Sequence, residues 1–201
     1  RIHMEPKKKN EAFATSAQIQ YVCRAGNFRK NTDYAYTGAL MALKVILGYE
    51  YLWTNIRVKG GAYGCMCDFG SIGDSYFVSY RDPNLKKTVD VFEKIGDYLR
   101  NFTADEKTMT KYIIGAISDL DTPLTPFSKG ARSSGAYMTN RDIKKIQQER
   151  DELLNCTQED IRKLANYIDT VIHEGAVCVV GNGQSIEENK EMFQKIEPLF
   201  H

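Results

Sequence analysis

Residues 36–55 set the main constraint on the fold. They carry Leu40, Leu43, Ile46, Leu47, Leu52 and Trp53, contain no proline, and run too long for an ordinary strand. Such a stretch predicts a mostly buried helix, which has to pack against another layer. It ends in Arg57-Val58-Lys59-Gly60-Gly61, basic residues followed by glycine, a helix-stop pattern. Residues 62–69 and 75–81 then read as two strands, with Gly70-Ser71-Ile72-Gly73-Asp74 as the turn of a hairpin. Tyr76, Val78 and Tyr80 share one face of the second strand.

The flanking segments supply the other elements. Residues 14–23 alternate, with Ala17, Ile19, Tyr21 and Cys23 opposite Ser16, Gln18 and Gln20, which predicts one half-buried strand. Asp82-Pro83 reads as the N-cap and first position of a helix bearing Leu85, Val89, Phe92, Ile95 and Leu99. Thr103-Ala104-Asp105-Glu106 reads as a capping box before the stripe Met109, Ile113, Ala116, Ile117 and Leu120. Residues 121–140, with Pro123, Pro126, Gly130 and Gly135, read as a long loop. Helices are expected at 141–154 and 157–172, a central strand at 176–180 and a last helix at 185–196. Hairpins mixed with helices predict an α+β fold: a two-layer sandwich of an antiparallel or mixed sheet with helices on one face. Residues 1–201 are expected to form one such domain, with 1–12 as a lead-in.

Charge and cysteine usage exclude several functions. Lys and Arg number 27 against 26 Asp and Glu, a net charge of +1. That balance argues against a dedicated nucleic-acid or membrane-surface binder. The five cysteines, an odd number, do not form a secreted disulfide framework and indicate a reducing compartment. No apolar run approaches the ~20 residues needed to cross a bilayer. The start is basic, lacks the apolar core of a signal peptide, and has Arg1 in place of Met, which reads as a fragment of a larger protein.

Three familiar chemistries are poorly supported. Histidine occurs at 3, 173 and 201, with no zinc-type spacing, and Cys65 and Cys67 supply two ligands where a closed site wants four. They read as packed cysteines, so no metal site is expected in this chain. Gly181-Asn182-Gly183 lacks the third glycine and the acidic ribose ligand of a dinucleotide fingerprint. A nucleophile–histidine triad has no suitably placed base. The unusual segment is Arg57 through Gly64. Arg57 carries a planar fork suited to carboxylates or peptide carbonyls. Tyr63 offers a phenolic donor for a developing oxyanion. Residue chemistry alone favours a plainer reading, in which Arg57 complements a helix end, the glycines turn and Tyr63 packs.

The string Arg57-Val58-Lys59-Gly60-Gly61-Ala62-Tyr63-Gly64, with Tyr80-Arg81-Asp82-Pro83-Asn84, resembles the C-terminal region of pitrilysin/insulinase-type zinc metallopeptidases, within them the presequence protease and falcilysin branch. The likeness extends to His3-Met4-x-Pro6, Asp121-x-Pro123-x-x-Pro126 and Lys129-Gly130. It implies the last of four homologous α+β domains, in two halves that close around a peptide-degrading chamber. It further implies that Arg57 and Tyr63 serve catalysis and that Arg57, Gly60 and Gly61 bind substrate. The zinc belongs to the N-terminal half, which is the expected partner beside unfolded peptides. A non-catalytic scaffold of the same fold is the alternative. The compartment implied is bacterial cytoplasm, with a mitochondrial matrix or another organelle as the second choice.

Overall fold

The computed structural model describes residues 7–200. His3, Met4 and Pro6 of the signature near the start, and His201, lie outside them. Among the described residues six strands form one open mixed sheet: β1 (Glu11–Thr15), β2 (Gln20–Asn27), β3 (Gly64–Phe69), β4 (Asp74–Asp82), β5 (Ala176–Asn182) and β6 (Lys195–Pro198), in the order β3-β4-β2-β5-β1-β6. The hairpin β3–β4 and the pairs β2–β4 and β2–β5 are antiparallel, whereas β1 runs parallel to both β5 and β6. The expected strand at 176–180 is thus interior, as its unbroken apolar run suggests.

Alternation shows which face is covered. Val22, Ser75, Phe77, Ser79, Val177 and Val179 are buried. They point toward helices that include α1 (Ala39–Ile46), α2 (Lys86–Glu93), α3 (Ile95–Arg100), α7 (Gln158–Lys163) and α8 (Ala165–Glu174), whose Leu43, Ile46, Phe92, Ile95 and Ile168 complete the core. Tyr21, Met66, Tyr76 and Cys178 stand exposed on the opposite side. The face shared by Tyr76, Val78 and Tyr80 is therefore the open one.

Several expected boundaries move. The single strand at 14–23 is two strands, β1 and β2, with Ala17 in the turn between them. There the Thr15 Oγ1 accepts from the Ala17 N–H at 3.2 Å. Alternation continues through that turn and conceals it. β1 also begins within the expected lead-in. The expected loop at 121–140 holds α5 (Pro126–Met138), opened by the Thr125 side chain accepting from the Ser128 N–H, with Pro126 in the first turn. Pro126 thus starts a helix instead of breaking one. No residue of α5 is buried, so it lacks the apolar stripe that would have revealed it.

Asp82 does not cap a helix, because α2 starts only at Lys86. The cap of α4 (Glu106–Leu120) is Asp105, which accepts from the Thr108 N–H; it is not Thr103. The helix α6 spans Ile143–Leu154, as expected. The last expected helix is only α9 (Gly183–Glu188) and a short turn, after which the chain pairs with β1 as β6.

Candidate functional site

Beyond Ile46 the helix of α1 continues in wider π winding over Leu47–Tyr51 and Trp53–Val58. The Lys59 N–H accordingly donates to the Thr54 carbonyl, five residues back, at 3.0 Å. This winding carries into the helix end. The Gly61 N–H donates to the Arg57 carbonyl at 2.9 Å and the Ala62 N–H to the Ile56 carbonyl at 3.1 Å. Both bonds span one residue more than the usual glycine helix stop. The two glycines are needed for different reasons. Gly61 has φ +80°, the left-handed region open to glycine. A Cβ on Gly60 would lie 2.4 Å from the Ile56 carbonyl oxygen.

This turn delivers Arg57 and Tyr63 to one surface. The Arg57 guanidinium carbon lies 4.6 Å from the Trp53 ring centroid and 5.5 Å from that of Tyr63. Among the described residues the Arg57 N–H groups meet no hydrogen-bond acceptor, so they stay available to a ligand. Tyr63 is 57% exposed, and its ring meets Tyr80 edge-on at 5.5 Å. Among the described residues no group accepts its hydroxyl proton. A Cβ at Gly64 would lie 2.1 Å from the Tyr80 ring, so this glycine leaves the space Tyr80 fills.

Behind the surface sits an anchor. Asp82, fully buried, accepts from the Asn84 N–H at 2.8 Å and from the Thr88 hydroxyl at 2.6 Å. The Asn84 side-chain amide donates at 2.6 Å to the Gly60 carbonyl and, more weakly, at 3.3 Å to Asp82. One buried carboxylate therefore ties the start of the α2 segment to the glycine turn.

The candidates Arg57, Gly60, Gly61 and Tyr63 come together in space, outside the packed core. Trp53, Arg81 and Asn84 were not singled out as site residues from the sequence. Trp53 stands one helical turn before Arg57 and could have been found by that spacing. Arg81 and Asn84 approach through the hairpin, which no local spacing reveals. A separate cleft of about 270 Å³, lined in part by Tyr36, Lys44, Asp68, Arg132 and Arg141, includes none of the candidates.

Among the described residues no group of three or more His, Cys, Asp or Glu side chains could hold a metal ion. Cys65 and Cys67 lie on β3, and Cys67 is buried, with its thiol 3.9 Å from the Lys44 carbonyl. Burial pushes the Cys65 thiol up to about 11 and the Cys67 thiol up to about 12. At pH 8 only about one part in 10⁴ of such a Cys67 would be thiolate, the reactive form. In native protein, iodoacetamide at pH 8 should modify exposed Cys178 well before Cys67, which should react only on unfolding. Peptide mass mapping checks this, and equal labelling rates would exclude a packed Cys67.

The chain matches the family described as the PreP C-terminal domain over residues 10–183. It is 44% identical over 197 residues to Protein HypA of Clostridium perfringens, covering 98% of this chain and 20% of that protein. It is 36% identical over 180 residues to Presequence protease 1, chloroplastic/mitochondrial, of Arabidopsis thaliana, covering 89% of this chain and 17% of that protein. The chain thus spans about a fifth or less of these curated relatives. Its fold superposes on the peptidase M16 inactive domain from Pseudomonas fluorescens with a TM-score of 0.62 at 17% identity, covering 90% of this chain and 46% of that one. No helix among the described residues is long and apolar enough to cross a membrane. The glycine turn, the hairpin behind it and the family match agree: the chain belongs to the PreP C-terminal domain family of pitrilysin-type proteases.

Proposed function

We propose that this chain is the last of four homologous domains of a zinc-dependent metalloendopeptidase that degrades peptides in a closed chamber. In this reading it lends Arg57 and Tyr63 to an active site whose zinc is held by the N-terminal half. The residues described here do not fit a metal, so the chain alone should hydrolyse no peptide. Its own contribution is to bind and to donate. The edge of Arg57 holds a substrate backbone carbonyl, and Gly60 and Gly61 keep the backbone bare where the peptide passes. Tyr63 donates its phenolic proton in a hydrogen bond to the oxygen that gains charge as the scissile carbonyl is attacked. Both groups reach the peptide only when the halves close, which would exclude large folded proteins. Unpaired cysteines fit a reducing compartment, bacterial cytoplasm foremost.

The observation that carries this reading is the pairing of Arg57 with exposed Tyr63, whose hydroxyl has no partner among the described residues. A scaffold role draws support from the neighbour described as an inactive domain. Arg57→Ala in the longer polypeptide decides between them. An active-site role predicts at least a tenfold fall in kcat/KM for an unstructured peptide, from the lost charge-assisted hydrogen bonds. Turnover within twofold of the parent would leave the scaffold role standing.

A further inference from the structure

Arg81 ends the exposed part of β4 with φ +48°. The other described non-glycine residues at positive φ are Asn31 and Asn140, amide residues that enter this region readily. Arginine has no such local relief, and a strained residue persists only where its surroundings fix it. Here the Arg81 carbonyl accepts the Tyr63 N–H at 3.3 Å, and the next residue, Asp82, is fully buried on Asn84 and Thr88. The chain is held on both sides, and the held conformation aims the guanidinium at Tyr63.

Its carbon lies 5.5 Å from the Tyr63 ring centroid, the same distance as that of Arg57. Two cations thus share one ring. Neither Arg57 nor Arg81 forms an ion pair with a carboxylate among the described residues, and the nearest acid in sequence, Asp82, is turned inward. Two uncompensated guanidiniums beside an exposed phenol make a receptor for an anion, and a guanidinium fork fits a carboxylate.

We propose that Arg81 is a second substrate-binding guanidinium, which recognises a carboxylate of the peptide lying on Tyr63. This rests on the active-site reading above and adds to it the recognition of a peptide carboxylate. The carboxylate belongs to an acidic side chain near the scissile bond or to a free C-terminus, and the same fork serves either.

The test uses the longer polypeptide and matched peptides: Glu against Gln at successive positions around the scissile bond, and free acid against amide at the C-terminus. The parent enzyme should favour the carboxylate member of at least one pair by about tenfold in kcat/KM. Arg81→Gly, which accepts φ +48° without strain, should bring that ratio to within twofold of unity. Because both members of a pair meet the same enzyme, the ratio is unmoved by a loss of folded protein. Selectivity retained in Arg81→Gly, or absent from the parent in every pair, overturns the proposal. Tyr63→Phe measured alongside separates the two claims. If Tyr63→Phe is impaired and the ratio does not depend on Arg81, only the carboxylate site falls. If Tyr63→Phe is unimpaired while the ratio depends on Arg81, the carboxylate site stands and the catalytic reading falls.

Discussion

Tyr63→Phe in the longer polypeptide should lower kcat for peptide hydrolysis by about 10²–10³, the usual loss of one oxyanion donor. The structure makes this a clean substitution. The ring contacts of Tyr63 with Arg57, Arg81 and Tyr80 involve its face and edge, and phenylalanine retains them. The hydroxyl has no internal partner among the described residues, so its removal orphans nothing in the fold. Stability should therefore stay within about 0.5 kcal/mol, as for other exposed positions. An effect confined to kcat identifies a bond made in the transition state, whereas an effect on KM alone would show that the phenol only binds. Activity within twofold of the parent would remove Tyr63 from the chemistry.

Asp82→Ala should produce the opposite signature, a loss of stability on the order of 3 kcal/mol. The substitution strips the acceptor from the Thr88 hydroxyl and the Asn84 N–H inside the protein, and unpaired buried donors are costly. It also frees the Asn84 amide that holds the Gly60 carbonyl, so the turn carrying Tyr63 loses its fixed position. Urea unfolding followed by circular dichroism measures the first effect as a lower midpoint at unchanged slope. Asp82→Asn keeps one oxygen acceptor and should retain a good part of the stability. A midpoint for Asp82→Ala equal to the parent's would mean the carboxylate is not the anchor described.

The candidate site was legible where its residues are close in sequence. Arg57, Gly60, Gly61 and Tyr63 lie within seven positions of one another, and a helix stop followed by a strand brings them together. The second half of the surface was not. Arg81 and Asn84 arrive by way of the hairpin, and the conformation of Arg81 has no signature in residue type. Core helices were legible where burial imposes a stripe, as in α1 with Leu40, Leu43 and Ile46 and α2 with Val89 and Phe92. Exposed α5 and the edge strand β6 have little or no buried surface and so left no such pattern. Asp82-Pro83 misled for a different reason. The same dipeptide that often begins a helix here turns its carboxylate inward, and only the positions of Asn84 and Thr88 reveal that use.

The place of β5 in the sheet bears on how the molecule comes into being. This strand separates β1 from β2, although some 150 residues of chain lie between β2 and β5. During synthesis the two earlier strands cannot be joined until Ala176–Asn182 has left the ribosome, so β1 and β2 wait for a strand made long after them. Contacts of such large sequence separation make a slow-folding topology. Until then the nascent chain exposes unsatisfied strand edges, the surfaces on which neighbouring polypeptides aggregate.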